Sequence, residues 1–219
     1  ELISEELASR WPETPVLSEE SADIPWETRQ TWQQYWLVDP LDGTKEFINH
    51  NGEFTVNIAL IRDHRPIMGI VHVPVSGTTY FGARELGAWR QHDTTPAQPI
   101  QVRRPAAQTA VIVGSRSHAN PELASQLQKL GKHELTSMGS SLKFCRIAEG
   151  LADFYPRLGP TCEWDTAAAQ AVVEAAGGQV VKVDGSALDY NNKEAYLNPH
   201  FFVFGDPDKA CLVPFRDFA

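Results

Sequence analysis

The sequence of 219 residues is poor in cysteine and has no cysteine motif. Its cysteines are an odd number at long spacings, without a C-x-x-C pair: Cys145, Cys162 and Cys211. This pattern excludes the disulfide framework of a small secreted domain and the usual cysteine ligand sets for zinc. We therefore expect free thiols and a cytoplasmic location. Peripheral attachment to the cytoplasmic face of the inner membrane is left open.

Long apolar runs and positive charge are also scarce. No stretch approaches the roughly 18 consecutive apolar residues that cross a bilayer. Lys and Arg total 19 against 28 Asp and Glu, a formal net charge of −9, which disfavours a basic patch for nucleic acid or anionic lipid. At 42% apolar, the chain can bury the core of one domain or of two small ones. We predict a small-molecule partner, no nucleic acid and no transmembrane segment, and leave the oligomeric state open.

The two halves of the chain follow different patterns. Residues 1–105 begin with a helix over 1–10 and continue with strands over 35–38, 54–61, 67–73, 78–83 and 87–91, which predicts an α+β half with antiparallel pairing. Residues 106–219 alternate strands (109–113, 152–155, 179–183, 201–204) with helices (121–130, 140–149, 166–176), which predicts an α/β half. The first residue is not Met, so we expect that an N-terminal part is missing from the first half.

The densest chemical signal is the segment that follows the apolar residues 35–38. Asp39 and Asp42 enter a turn that Pro40 stiffens, and carboxylates three apart, with the Leu41 carbonyl between them, suit a hard cation such as Mg²⁺. An ordinary Asx turn is the alternative. Next, Gly43, Thr44 and Lys45 are predicted to open a helical turn, whose free N–H groups attract a phosphate.

Two further acidic positions qualify as ligands. Glu19 and Glu20 end an extended segment, although an exposed glutamate pair is usually a solvated surface. Asp165 stands between Trp164 and a helix, where the cap of that helix is the alternative role. The tryptophan is predicted to pack against the site.

Five motifs together resemble the inositol monophosphatase-like family of Mg²⁺-dependent, lithium-sensitive phosphatases, and most closely its 3'(2'),5'-bisphosphate nucleotidases of the CysQ type. They cover nearly the whole chain: LSEE (17–20), WLVDPLDGTKEFI (36–48), NGEFTVNIA (51–59), GSSLKFC (139–145), and EWDTAA (163–168) with AGG (176–178). The resemblance implies a layered αβαβα sandwich of the inositol monophosphatase and fructose-bisphosphatase type.

The resemblance also implies the roles of single residues. The metal ligands are Glu19, Asp39, the Leu41 carbonyl, Asp42 and Asp165, which would hold two to three Mg²⁺ ions. Gly43 and Thr44 match positions that hold the substrate phosphate. Thr44 is also paired with the acidic network that orients the attacking water. The catalytic set is therefore Glu19, Asp39, Asp42, Thr44 and Asp165.

Four further residues match positions that hold the nucleotide and its second phosphate in bisphosphate nucleotidases: His118, Ser140, Lys143 and Arg157. A plain surface histidine and ordinary surface charges are the alternatives for His118, Lys143 and Arg157. The residues after 205 match no family motif, and we assign them no role.

The implied reaction is removal of the 3'-phosphate of adenosine 3',5'-bisphosphate to give AMP, and also hydrolysis of its sulfated analogue, 3'-phosphoadenylyl sulfate, in sulfur assimilation. Hydrolysis of inositol-1-phosphate at the same site is the enzymatic alternative. A non-catalytic nucleotide or metal sensor is the alternative of another class. A covalent hydrolase is disfavoured because neither a G-x-S-x-G elbow nor a P-loop is present.

Overall fold

Two β-sheets and the helices packed on them form the described part of the protein. The computed structural model describes residues 1–116, 132–206 and 208. Within these residues the helices are α1 (Leu2–Arg10), α2 (Trp26–Arg29), α3 (Thr44–Ile48), α4 (Leu142–Ala148) and α5 (Ala167–Ala175), with a 3₁₀ turn over Glu19–Ser21. This mixed architecture confirms the predicted fold class. The predicted helix 121–130 lies outside the described residues.

The first sheet takes its seven strands in sequence order. They are β1 (Val16–Ser18), β2 (Gln34–Asp42), β3 (Thr55–Arg62), β4 (Arg65–Val73), β5 (Thr78–Ala83), β6 (Gly87–His92) and β7 (Gln98–Ile100). Strands β1 and β2 are parallel, and each later neighbour is antiparallel, so the predicted hairpin and meander are confirmed. The sequence analysis missed β7, which has three residues and contains a proline.

Strand β2 is longer than the predicted strand 35–38, because it continues through a bulge. Asp39 pairs with Asn57, and Asp42 pairs with Thr55, so β2 carries one extra residue at this point. Pro40 lies in the bulge, where its missing N–H costs no ladder hydrogen bond. The bulge brings both aspartates to the end of the sheet.

The second sheet has the strand order β11-β12-β10-β8-β9. Its strands are β8 (Ala110–Ser115), β9 (His133–Met138), β10 (Phe154–Arg157), β11 (Gln179–Lys182) and β12 (Phe201–Phe204). The sequence analysis missed β9, an edge strand with four of six residues exposed and hence no apolar alternation. The predicted strand 152–155 starts too early, because the Ala152 N–H bonds back to Arg146 at the end of α4.

Helix α5 lies against the first sheet although it belongs to the second half of the chain. It contacts β3, β4, β5 and β6, and also β11 of the second sheet. Gly69 of β4 permits the approach, because a Cβ there would lie 2.1 Å from the carbonyl oxygen of Ala168. The helix ends before Gly177, whose φ of +93° favours glycine, as predicted. The division into halves at about residue 105 stays a prediction.

At the start of the chain, α1 confirms the predicted helix. Its buried Leu7 packs with Trp36 and Val38. Two of the three cysteines are described and both are free thiols, Cys145 buried and Cys162 half-buried, whereas Cys211 lies outside the described residues. Among the helices that the structure describes, none has the length and apolarity needed to cross a membrane.

Candidate metal centre and active site

Three carboxylates from distant parts of the chain converge at the end of the first sheet. Asp39 and Asp42 come from the bulged end of β2, and Asp165 comes from the turn before α5. One carboxylate oxygen from each lies within 4.8 Å of the others. The sequence analysis predicted this convergence from the spacing of Asp39 and Asp42 and from the family resemblance of the segment around Asp165.

The cavity around these carboxylates has a volume of about 250 Å³. Glu19, Leu41, Gly43 and Thr44 also line it, as does Lys45. Of the predicted nucleotide contacts, Ser140, Lys143 and Arg157 line the same cavity. His118 lies outside the described residues.

Glu19 reaches the cavity because of the register between β1 and β2. Ser18 pairs with Val38 in this parallel pair, so Glu19, the residue at which the chain leaves β1, lies beside Asp39 of β2. Glu19 begins the 3₁₀ turn and is more exposed than the aspartates. Its carboxylate is not part of the close triplet.

The Asp42 carboxylate is held rigidly on one side. Its Oδ2 accepts hydrogen bonds from the Thr55 hydroxyl at 3.2 Å, from Asn57 Nδ2 at 3.1 Å, and from Ser141 through N–H at 2.7 Å and hydroxyl at 2.8 Å. These bonds orient the carboxylate toward the cavity without neutralising its charge.

The other two aspartates are held by backbone N–H groups. Asp39 Oδ1 accepts from Leu41 N–H at 2.9 Å, whereas its buried Oδ2 has no hydrogen-bond partner among the described residues. Asp165 Oδ2 accepts from Cys162 N–H at 2.8 Å. The residue at the N-cap of α5 is Thr166, so the capping role considered for Asp165 is wrong.

Burial, and secondarily the crowding of the carboxylates, raises their pKa values. Burial raises the pKa of Asp39 to about 9, and the charges of Asp42, Asp165 and Glu19 add to this effect. Burial and Asp42 raise the pKa of Asp165 to about 7, although the Cys162 N–H and Arg157 oppose the rise. Burial is also the main cause of the raised pKa of Glu19.

This geometry fits a hard divalent cation. The carboxylate oxygens lie within 4.8 Å of one another, close enough to share an ion. A bound cation would give the buried Asp39 Oδ2 a partner and would offset the burial and repulsion that raise the pKa of Asp39. The donor set consists of oxygen atoms, which Mg²⁺ prefers.

Beside the carboxylates, the chain turns into α3 as predicted. Gly43 has a φ of +92° and stands at the N-cap, and its carbonyl accepts from Phe47 N–H at 2.9 Å. Thr44 is the first residue of the helix and is exposed to the cavity.

Two cations line the same cavity, and neither is a surface charge. Lys143 is 5% exposed and Arg157 7%, so the alternative of ordinary solvated charges is wrong. Lys143 Nζ donates to the Ser140 carbonyl at 2.5 Å, and burial lowers its pKa to about 8. Arg157 Nη2 donates to the Pro160 carbonyl at 2.6 Å, while its buried Nε has no hydrogen-bond partner among the described residues.

Several residues that support the site escaped the sequence analysis. Ser141, Asn57 and Thr55 hold Asp42, and Glu46 packs beneath Gly139, where a Cβ would lie 2.4 Å from Glu46 Cγ. One signal could have found two of them: Thr55 and Asn57 occupy the buried positions of an alternating strand, where apolar residues are expected. The packing of Trp164 against the site stays a prediction, because its ring lies 5.0 Å from that of Tyr196 and neither residue lines the cavity.

Comparison with known proteins agrees with this geometry. The 3'(2'),5'-bisphosphate nucleotidase CysQ of Salmonella typhimurium is 54% identical over 202 residues, which cover 92% of this chain and 80% of that protein. The protein of the same name from Escherichia coli strain K12 is 55% identical over 203 residues, with the same coverage.

Solved structures share the fold. The crystal structure of CysQ from Bacteroides thetaiotaomicron, described as a bacterial member of the inositol monophosphatase family, has 40% identity and a TM-score of 0.83 over 92% of this chain and 81% of that one. Inositol monophosphatase from Anabaena has 25% identity and a TM-score of 0.79 over 98% of this chain and 81% of that one. The sequence model described as the inositol monophosphatase family matches residues 1–202, and the chain therefore belongs to this family.

Proposed function

We propose that this protein is a Mg²⁺-dependent phosphatase that hydrolyses the 3'-phosphate of adenosine 3',5'-bisphosphate to AMP and phosphate. The observation that carries the proposal is the convergence of Asp39, Asp42 and Asp165 within 4.8 Å, in a chain 54–55% identical to enzymes named 3'(2'),5'-bisphosphate nucleotidase. By the same likeness we extend the proposal to 3'-phosphoadenylyl sulfate, to a place in sulfur assimilation and to a cytoplasmic location.

Enzymes of the inositol monophosphatase family use Mg²⁺. We propose that Asp39, Asp42, Asp165, Glu19 and the Leu41 carbonyl hold two to three of these ions. When bound, Mg²⁺ lowers the pKa of a coordinated water and neutralises charge on the phosphate. The number of ions is part of the proposal.

The protein's own residues position the reactants. Asp42 is fixed by four hydrogen bonds, so it keeps its orientation when substrate enters. We propose that Gly43 and Thr44 contact the phosphate that is cleaved, and that the Thr44 hydroxyl, with the acidic groups, orients the attacking water. The water oxygen bonds to phosphorus, the ester P–O bond breaks, and the ribose 3'-oxygen takes a proton.

We assign the second phosphate of the substrate to the two buried cations of the cavity, Lys143 and Arg157. Arg157 offers a buried Nε without a partner in the described part of the chain, and Lys143 lies beside the same cavity. A charge-assisted hydrogen bond from Arg157 to a phosphate oxygen would satisfy this donor. We propose that these two residues, with Ser140 and with His118 outside the described residues, select a nucleotide with two phosphates.

Hydrolysis of inositol-1-phosphate is not favoured. An inositol monophosphate has no second phosphate for Arg157 and Lys143, and the relatives of highest identity reported above carry the nucleotidase name. The inositol monophosphatase from Anabaena is only 25% identical.

The decisive experiment measures phosphate release from adenosine 3',5'-bisphosphate during titration with Mg²⁺ and then Li⁺, with inositol-1-phosphate and 3'-AMP as parallel substrates. We expect AMP as the product, dependence on Mg²⁺ and inhibition by Li⁺. Equal or faster cleavage of inositol-1-phosphate would contradict the nucleotide assignment. Tight nucleotide binding without phosphate release in excess Mg²⁺ would support a sensor instead.

A further inference from the structure

Arg29 is a buried arginine outside the cavity. It ends α2, is 2% exposed, and its guanidinium lies between two aromatic rings, 4.7 Å from the centroid of Trp26 and 4.3 Å from that of Tyr196. Burying a guanidinium is costly unless its donors are satisfied and the surroundings favour a cation. A role is therefore expected for the contacts that it makes.

The hydrogen bonds of its side chain all lead to the segment 191–196, more than 160 residues away in the sequence. Arg29 Nη1 donates to Asn191 Oδ1 at 2.7 Å and to the Lys193 carbonyl at 3.2 Å, and Nη2 donates to the Glu194 carbonyl. Asn191 Nδ2 donates back to the Arg29 carbonyl at 2.6 Å. Arg29 thus fixes the segment to the part of the chain that follows Glu19.

The same segment holds the turn that carries Glu19. The Tyr196 hydroxyl donates to the carbonyl of Ala22 at 2.8 Å, and Ala22 is the C-cap of the 3₁₀ turn over Glu19–Ser21. Because this turn is so short, fixing its last carbonyl restricts the position of Glu19 as well.

On its other side the segment holds the turn that carries Asp165. The Glu163 N–H donates to the Tyr196 carbonyl at 2.9 Å, and the Tyr196 ring packs on Trp164. The buried Glu163 carboxylate in turn accepts from Asn191 N–H at 2.9 Å and pairs with Lys193 Nζ at 3.1 Å. One segment is therefore bonded to both acidic turns.

We propose that Arg29 and Tyr196 are positioning residues, which set the separation of the Glu19 and Asp165 carboxylates so that both can bind a divalent cation. This inference rests on the proposed function, because it takes Glu19 and Asp165 as ligands. Neither residue lines the cavity, so they act through the two turns. Loss of outer contacts that orient ligands typically weakens metal binding by roughly 10- to 100-fold.

The test removes one hydroxyl and leaves the ring. In Tyr196→Phe the stacking on Arg29 and Trp164 remains, but the hydrogen bond to Ala22 is lost. Tyr80→Phe is the matched control, because this tyrosine also donates one hydroxyl hydrogen bond, to Glu149 at 3.3 Å, without contact to either acidic turn. Arg29→Lys is the second variant, because lysine keeps the positive charge but lacks the planar guanidinium group with its several N–H donors.

Calorimetric titration of the metal-free proteins with MgCl₂ is the main readout, and the melting temperature and turnover at saturating Mg²⁺ are measured beside it. We expect Tyr196→Phe to weaken Mg²⁺ binding by roughly tenfold, the lower end of the range above, with turnover at saturating Mg²⁺ within about threefold of wild type. Tyr80→Phe should bind Mg²⁺ like wild type. Arg29→Lys should weaken binding at least as much as Tyr196→Phe.

Hydrogen exchange of the metal-free proteins supplies a readout that does not depend on activity. Amides of residues 19–24 should exchange faster in Tyr196→Phe than in wild type or Tyr80→Phe. Unchanged Mg²⁺ affinity and exchange in Tyr196→Phe, in a wild-type background that binds Mg²⁺, would overturn the inference. If wild type releases no phosphate, the proposed function fails, whereas the inference is still decided by the binding and exchange comparison.

Discussion

Ser141 contacts one carboxylate oxygen of Asp42 twice, through its N–H at 2.7 Å and through its hydroxyl at 2.8 Å. The same hydroxyl oxygen lies 2.7 Å from the Asp165 carbonyl and accepts from Asn57 Nδ2 at 3.0 Å. A single buried side chain before α4 therefore joins the bulged end of β2 to the turn before α5, which are the two sources of carboxylates in the close triplet.

We expect Ser141→Ala to weaken Mg²⁺ binding more than it weakens the fold. The N–H contact remains, so the free energy of unfolding should fall by only about 1 kcal/mol. The Mg²⁺ concentration for half-maximal turnover should rise by roughly tenfold, because the Asp42 carboxylate and the Asp165 turn lose a common partner. Thermal melting and Mg²⁺ titration of phosphate release measure the two effects.

Ser186→Ala is the control for this variant. The Ser186 hydroxyl also bonds to a carboxylate, that of Asp184 at 2.6 Å, but in an exposed turn far along the chain. Equal Mg²⁺ dependence of the two variants would show that Ser141 has no special part in orienting the aspartates.

Asp39→Asn should abolish activity and stabilise the metal-free fold. Replacing the carboxylate removes a charge needed to hold the cation, so turnover in saturating Mg²⁺ should fall by at least about 100-fold. The amide can still accept from Leu41 N–H, and it removes the cost of a buried carboxyl whose pKa is raised to about 9.

At pH 8 in the presence of EDTA, the variant should melt at a higher temperature than wild type. Its free energy of unfolding should be larger by about 1–3 kcal/mol, a usual size for the effect of a single substitution. Turnover near the wild-type level, or lower stability of the metal-free variant, would contradict the assignment of Asp39.

Metal-free protein should lose stability as the pH rises from about 5 to 8. The folded-state pKa values of Asp39 and Asp165, about 9 and about 7, lie above the ordinary value of 3.8. The folded state therefore binds more protons than the unfolded state, and its stability falls with rising pH through this range. Lys143, with its pKa lowered to about 8, acts in the opposite direction, and only above that pH.

Calorimetric melting in EDTA at several pH values measures the effect. Saturating Mg²⁺ should remove most of the pH dependence, because bound cations neutralise the carboxylates and stabilise only the folded state. A melting temperature that rises between pH 5 and 8 without metal would show that ionisation of the acidic cluster does not destabilise the folded state.

Arg157→Lys should reduce the preference for two phosphates. The lysine keeps the charge but loses the Nε donor, so kcat/KM for adenosine 3',5'-bisphosphate should fall by roughly 10- to 100-fold, which corresponds to a charged hydrogen bond of about 1.5–3 kcal/mol. For 3'-AMP, which lacks the 5'-phosphate, we expect less than about a threefold change. Arg103→Lys, in the Arg103–Asp153 pair outside the cavity, controls for the loss of a guanidinium contact with a buried carboxylate. Equal losses on both substrates would place Arg157 on the phosphate that is cleaved.

In the first sheet, β3 was predictable because it alternates between a buried and a half-exposed face, and the start of β2 because it is a continuous, buried apolar run. Strand β3 shows this pattern from Thr55 to Arg62, and the meander followed from short turns. The continuation of β2 was missed because Pro40 normally ends a strand, and the bulge that accommodates it depends on the register with β3. Strand β9 was missed because its exposed edge position leaves no periodic signal.

The candidate site was predictable where chemistry follows local spacing, and much less so where it depends on tertiary contacts. Asp39 and Asp42 are three residues apart, and their convergence with Asp165 was expected from the family resemblance. Ser141 could not be selected over its neighbour Ser140 by sequence, since only the fold shows which hydroxyl meets Asp42. Burial of Lys143 and Arg157 is likewise a property of the packed second half. Metal binding by these residues stays a prediction.

The close seating of α5 on β4 has a consequence for how substrate enters. Gly69 brings the helix backbone against the sheet that carries Asp39 and Asp42, and Asp165 stands two residues before that helix begins. A hinge that moved α5 away from the first sheet would have to break this backbone contact, and Gly69 has no side chain that could absorb part of the movement. We therefore expect ligands to enter a preformed cavity. Binding should move side chains and loops, without a closure of one half of the chain on the other.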